Sequence, residues 1–188
     1  MNSNDYITAA LKRADANFAT APRSAKIKML TWIGCLILVV IVALNMVVFA
    51  VVKDPLVGWI TLSTNAGVIA IFVACWFASG IRNITLSGQT LLIKLTFWTT
   101  RFDLAGLRSA GVDAQALKGC RHTVGNGGFG AFHGWFSSER MGDFRAYATD
   151  TDRCVVLRWK TKCVVVSPKD TEYFIEEVCK RTGARRQD

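Results

Sequence analysis

The stretch MLTWIGCLILVVIVALNMVVFAVV, residues 29–52, carries no formal charge over 24 positions, and LVGWITLSTNAGVIAIFVACWFAS, residues 56–79, repeats the feat after only Lys53-Asp54-Pro55. At about 1.5 Å of rise per residue each run reaches roughly 36 Å as a helix, enough to cross a hydrocarbon layer about 30 Å thick. A pair of buried core helices is a poor alternative in a chain of 188 residues. A cleaved leader is another, because the first run is too long and lacks a small-residue cleavage site. The expected architecture is therefore a transmembrane hairpin, with Pro55 ending one helix and opening the next.

Charge sets the expected orientation. Lys12, Arg13, Arg23, Lys26 and Lys28 precede the first run, Arg82 and Lys94 follow the second, and the turn offers only Lys53 beside Asp54. The positive-inside bias then places both termini in the cytoplasm. Trp32, Trp59, Trp76 and Phe77 fall near the ends of the runs, where an interfacial belt belongs. Each run holds one amide, Asn45 and Asn65, at matching depth; they are expected to face each other or a neighbouring polar group, since lipid offers no partner. Ser63 and Gly67 have the spacing that lets helices approach closely, within the hairpin or between copies. No Asp, Glu, Lys or Arg lies inside either run, so a proton relay or ion path has nothing to be built from.

Outward from the hairpin, residues 1–28 form a head and residues 80–183 a single expected cytoplasmic domain, with 184–188 a loose tail. In the head, Ile7, Leu11, Ala14 and Phe18 recur at helical spacing behind Ser3 or Asn4, which reads as an amphipathic helix. The net charge of +9 is spread over head and domain. That balance suits anionic lipid, and the scatter of the basic residues argues against nucleic acid. Six cysteines without a C-x-x-C pair suggest reduced structural thiols. Cys120, His122 and His133 match no standard zinc spacing.

After Gly80 the apolar period falls from helical to two. Strands are expected at Ile81–Leu86, at Leu91–Trp98 with Leu91, Ile93, Leu95 and Phe97 inward, at Arg101–Val112, Phe144–Thr149, Arg153–Lys160 and Cys163–Val166, with a turn at Ser87-Gly88-Gln89. Asp113 to Gly119 is left as a helical turn or loop. A final helix is expected from Ser167-Pro168-Lys169-Asp170, with Ser167 as cap, Phe174, Ile175, Val178 and Cys179 inward, Glu172, Glu176 and Glu177 outward, and Gly183 as stop.

Gly125-Asn126-Gly127-Gly128-Phe129-Gly130 has the letters of a dinucleotide-binding turn, but the aromatic, strand-like residues 131–136 follow where a helix is needed. Bulges and sharp coiling of a sheet are the simpler use of these glycines.

This glycine-aromatic stretch, with Gly134-Trp135-Phe136, Ala148-Thr149-Asp150, Val164-Val165-Val166-Ser167-Pro168, Asp170, Phe174 and Ile175, resembles the bacterial pleckstrin-homology-like (PH-like) domain family over roughly Ile81 to Gly183. The resemblance implies an α+β membrane protein: a transmembrane hairpin followed by a seven-stranded antiparallel barrel or roll, closed at one end by the C-terminal helix. It also implies the inner membrane of a bacterium. It brings no activity. No catalytic constellation and no cofactor are expected. The leading function is a membrane-anchored interaction module whose tether raises the effective concentration of a protein partner or of a second copy. Alternatives are an accessory subunit of a transport or envelope complex and recognition of anionic headgroups by Arg101, Arg108, Arg145, Arg158, Lys160 and Lys162.

Overall fold

The computed structural model describes residues 15–52 and 54–187. Two long helices dominate one end: α1, Ala25–Val51, and α2, Pro55–Ala78. Asp54 caps α2, its carboxylate accepting from Leu56 N–H at 2.7 Å, and Pro55 occupies the first turn as expected. Both helices are long and apolar enough to cross a membrane. They are almost unclothed by the rest of the chain, with Trp32 74% exposed. The face that α2 turns inward is Gly58, Thr61 and Asn65, with Phe49 lying against Gly58. The expected Ser63/Gly67 ridge is not the packing seam. Ser63 is bonded to its own helix at Ile60 O, and open space lies over Gly67.

Among the described residues, eleven strands form two sheets. The first runs in the order β1-β2-β3-β4: β1 Ala16–Ala19, β2 Ile81–Ser87, β3 Thr90–Leu95 and β4 Thr99–Asp103, all antiparallel. The second comprises β5 Ser109–Val112, β6 Arg121–Gly127, β7 Phe132–Ser138, β8 Gly142–Ala148, β9 Val155–Arg158, β10 Cys163–Val166 and β11 Arg185–Gln187. Its order is β11-β5-β9-β10-β8-β7-β6. Helix α3, Thr171–Thr182, completes the body. The expected closed antiparallel barrel is corrected on two counts. The β8–β10 and β5–β11 pairs are parallel, and β4 and β6 remain edges instead of sealing a cylinder. Side chains fill the space between the sheets, and backbone bonds cross it at the end of β1, where Lys169 N–H donates to Ala19 O at 2.9 Å.

The larger core lies between the sheets under α3. Ile84, Leu86, Leu91 and Ile93 meet Tyr147, Leu157, Val164, Val166, Phe174 and Val178. A second core lies on the far face of the seven-stranded sheet, where Phe136, Phe144, Ala146, Val156 and Val165 pack under Leu117 and beneath Ile27 of α1. A sheet covered on both faces explains why β10 is apolar at all four positions instead of alternating.

Several local expectations are corrected. Phe18 belongs to a strand, not a helix: β1 pairs with β2 from Ala16–Leu86 to Ala19–Asn83, and Phe18 sits edge-on to Phe174 at 5.1 Å. The other residues of that expected head helix lie outside the described residues. Phe97 is 67% exposed because β3 ends at Leu95, whose N–H closes a turn onto Trp98 O. The cap of α3 is Asp170, which accepts from Tyr173 N–H at 3.1 Å. Ser167 is buried, and its hydroxyl instead accepts from Thr149 N–H at 2.8 Å. Glu177 turns inward to the buried Arg181, 2.8 Å away. The tail is not loose: β11 pairs with β5, and Arg185 N–H donates to Arg108 O at 2.9 Å.

Candidate functional site: the seam between helices and sheets

Three segments tie the body to the helices. The first is the leader into α1. Ala21 N–H donates to Ser167 O, Ser24 N–H to Thr149 O, and the Thr149 hydroxyl to Ala21 O at 2.6 Å. Thr20 bridges Pro168. Because β1 precedes α1 and β2 follows α2, the flanks of the hairpin are one piece of sheet on one side of it.

The glycine-rich turn between β6 and β7 is the second segment. Gly125 and Gly134 lie opposite each other with φ of +119° and +125°, and the backbones approach so closely that a Cβ on either would collide with the other strand. The turn beyond is held by Asn126. Its Oδ1 accepts from Phe129 N–H at 2.8 Å and Gly128 N–H at 3.1 Å, and its Nδ2 donates to Phe129 O at 2.6 Å and to the Ser79 hydroxyl. Gly130 N–H donates to the Thr31 hydroxyl of α1 at 3.2 Å. These bonds present Phe129 to both helices. Its ring is edge-on to Phe72 at 4.6 Å and to Trp76 at 5.4 Å, and it lies against Gly34. Arg23 covers the same Trp76 at 4.8 Å. The glycines thus do more than bend a sheet: they seat one aromatic residue in the base of the hairpin.

The third segment is the turn from β3 to β4, where Thr96 N–H donates to Gly80 O at 2.9 Å and leaves Phe97 and Trp98 exposed beside the end of α2. Trp98 stands edge-on to His133 at 6.2 Å. Burial, with a smaller contribution from His122, holds the His133 imidazole below its usual range.

The two amides do not meet. Asn45 donates to Ile41 O of its own helix at 2.9 Å, whereas Asn65 is 7% exposed and its Oδ1 has no partner among the described residues. The six basic candidates are also dispersed. Strand register brings Arg108, Arg158, Lys160 and Lys162 together around the β9–β10 turn: Arg108 N–H donates to Arg158 O, and Lys162 covers Trp159. That end of β10 is the one away from Ser167 and the leader, so these four stand at the end of the body opposite the helices. Nearby at the same end, Lys118, Arg121 and Arg140 line an open hollow of about 690 Å³ with Ser137 and Ser138, Arg140 being paired with Asp113 at 2.5 Å. Arg101 is exposed on β4. Arg145 is half-buried in the gap between the sheets, its guanidinium 5.2–5.5 Å from the rings of Phe102, Trp135 and Tyr147. Among the described residues no group of three His, Cys, Asp or Glu is placed to hold a metal ion, and Cys120 donates to Leu117 O.

A chain with this order of elements, two sheets packed over a shared core and a C-terminal helix against them, belongs to the bacterial PH domain family, whose description, Bacterial PH domain, matches residues 82–182. No curated protein and no solved structure matches the chain. PH-like domains are generally non-catalytic, and membership suggests an interaction or scaffold module. Its matched region begins two residues after Gly80, so the helices and β1 lie outside it.

Proposed function

We propose that this protein is a membrane-anchored, non-enzymatic interaction module. On this reading α1 and α2 span the inner membrane of a bacterium, both termini are cytoplasmic, and the PH domain presents its basic far end to a protein partner. The observation that carries it is polarity along the molecule. Naked apolar helices occupy one end, while Arg108, Arg158, Lys160 and Lys162 gather at the end of β10 opposite the leader into α1. Charge so placed is too far from a bilayer surface to grip headgroups across a Debye length of about 8 Å. It suits the acidic face of a cytoplasmic protein, with steering by long-range attraction. Tethering then supplies effective concentration, so that a weak contact suffices.

The test is affinity capture of the full chain from its native membranes, wild type beside an Arg158→Glu/Lys160→Glu/Lys162→Glu variant. A partner retained by wild type and lost from the variant in a salt-sensitive manner supports the reading. Retention of the same partners by both defeats the basic end as the docking face. Recovery of the chain in the soluble fraction without detergent defeats the anchor.

A further inference from the structure

The end of the seven-stranded sheet away from the leader carries a second basic point besides the β9–β10 turn. The start of β6, the end of β7 and the loop before β6 border an open, polar hollow of about 690 Å³ there. Lys118, Arg121, Arg140, Ser137, Ser138 and Glu139 line it, and Ala116 is the one apolar side chain in its wall. Arg121 stands opposite Ser137 in the β6–β7 register, so the two side chains share a face. Arg140 is neutralised by Asp113 at 2.5 Å, and the Ser138 hydroxyl accepts from Met141 N–H at 3.2 Å. Lys118 and Arg121 are exposed and, among the described residues, bonded to no carboxylate, so the free charge of the hollow is theirs. The parallel register of β8 with β10, and the antiparallel registers of β8 with β7 and β7 with β6, bring Lys162, Gly142, Ser138 and Arg121 to the same end of the sheet. The order β10-β8-β7-β6 separates the β9–β10 turn from β6 by three strand spacings of about 4.8 Å, roughly 14 Å in all. Between the two basic points stand exposed acids, Asp143 at the start of β8 and Glu139 in the β7–β8 turn. Along one line, this end therefore runs basic, acidic, basic.

We propose that this end docks one extended segment of a protein partner, acidic at two places with a neutral or basic stretch between them. The inference deepens the proposed function and rests on it, since it names what the interaction module recognises. One acidic cluster enters the hollow, where Lys118 and Arg121 offer charge-assisted donors and the Ser137 hydroxyl a neutral one. The other cluster meets Arg158, Lys160 and Lys162. An extended chain rises about 3.3 Å per residue, so about four residues cover the distance between the two points. Asp143 and Glu139 repel any acid placed in the middle. A uniformly acidic chain therefore binds less well than a divided one, and that repulsion supplies the specificity. The hollow has no ring to stack a base and no apolar length to hold an acyl chain, which favours a polar peptide over a nucleotide or a lipid. Two weak contacts on one segment raise each other's effective concentration.

The experiment titrates the full chain, in mild detergent, into fluorescent peptides read by anisotropy. The divided peptide carries two Glu-Glu pairs joined by Ser-Gly-Ser-Gly. A second peptide has one pair replaced by Gln-Gln, and a third is Glu throughout. The divided peptide is expected to bind about tenfold tighter than the single-pair peptide and several-fold tighter than the continuous acid, and to weaken as salt is raised. The exposed double variant Lys118→Gln/Arg121→Gln is expected to bind the divided peptide about tenfold more weakly, with the single-pair peptide less affected. Asp143→Asn is expected to erase the preference for the divided peptide over the continuous acid, a change that loss of fold would not produce. Equal affinity for the divided and single-pair peptides, unchanged affinity in Lys118→Gln/Arg121→Gln, or tightest binding of the continuous acid by wild type overturns the proposal. So does displacement of the divided peptide by equimolar inorganic pyrophosphate or by phosphatidylglycerol vesicles. Capture from native membranes separates this inference from the reading beneath it. Partners lost from Arg158→Glu/Lys160→Glu/Lys162→Glu but kept by Lys118→Gln/Arg121→Gln overturn the two-point dock alone. Partners kept by both variants overturn the basic end as the docking face.

Discussion

The two helices and the two sheets are built from the same apolar residue types and use them in opposite ways. Beyond Ile27, most Val and Ile in α1 point outward and touch little, whereas Ile84, Ile93 and Val165 are wholly enclosed. Each helix bonds its own backbone internally and so needs no neighbour to satisfy it. The strands must find a backbone partner along at least one edge and a core on at least one face. Apolar content therefore says nothing about where a side chain will lie; period does. Helical runs without a polar stripe are left for a solvent other than water, while period-two runs close on one another.

Substitutions should divide along the same line. Phe174→Ala, in the core under α3, is expected to cost about 3–5 kcal/mol in urea unfolding of the full chain. Leu36→Ala, on the outer face of α1, should change it by less than about 0.5 kcal/mol. Comparable losses at both sites would show that α1 is packed as a core helix. A charge tests the converse. Val40→Arg near the middle of α1 is expected to cost about 3 kcal/mol in a membrane-insertion assay, while Val124→Arg, an exposed position on β6, should leave both insertion and folding nearly unchanged. Phe129→Ala touches both regions and should fall between, about 1–2 kcal/mol, read as faster hydrogen exchange in residues 126–130 with the strand cores still protected.

Alkali gives a smaller and pH-gated contrast. Burial, reinforced by Asp150, Asp113 and Asp152, pushes the Cys154 thiol from 9.0 up to about 12. The folded state therefore holds this proton more tightly than the unfolded chain. Its stabilising contribution is whole below pH 9 and is lost as pH rises from there towards 12. Unfolding at pH 10 should need about 1 kcal/mol less than at pH 8, and Cys154→Ala should flatten that slope; an equal slope in the variant assigns the loss to other groups. A comparably small effect is expected at the start of α3, where Asp170→Ala should cost about 1 kcal/mol by removing the acceptor for Tyr173 N–H.

Much of this was legible in sequence for reasons tied to particular residues. The hairpin is announced by length and by the absence of charge. The turn at Gly88 needs φ of +57°, and the end of α3 needs +71° at Gly183, and glycine stands at both. What stayed hidden depends on partners far along the chain. Ala-Asn-Phe-Ala at 16–19 has too few residues to show a period, and it becomes a strand only because β2 offers an edge. Ser167-Pro168 looks like a helix start by local rule. The hydroxyl is instead claimed by Thr149, so the cap passes three residues on to Asp170. The basic residues could be counted but not placed, because the parallel pairing of β8 with β10 decides which end they occupy. The glycine run hinted at its role in one respect: a lone aromatic, Phe129, stands among residues chosen for backbone freedom.

The pairing of β1 with β2 has a consequence for how the molecule is made. The leading strand leaves the ribosome before either long helix, and its edge partner only after both. The first few residues of the body must therefore wait, unfinished, while the greasy segments are disposed of, and the sheet can shut only once they are out of the way. Assembly of the body then becomes a receipt for correct threading. On the proposed membrane-spanning reading, a chain whose second helix lodged the wrong way round would leave β1 and β2 on opposite sides, with the β2 edge open.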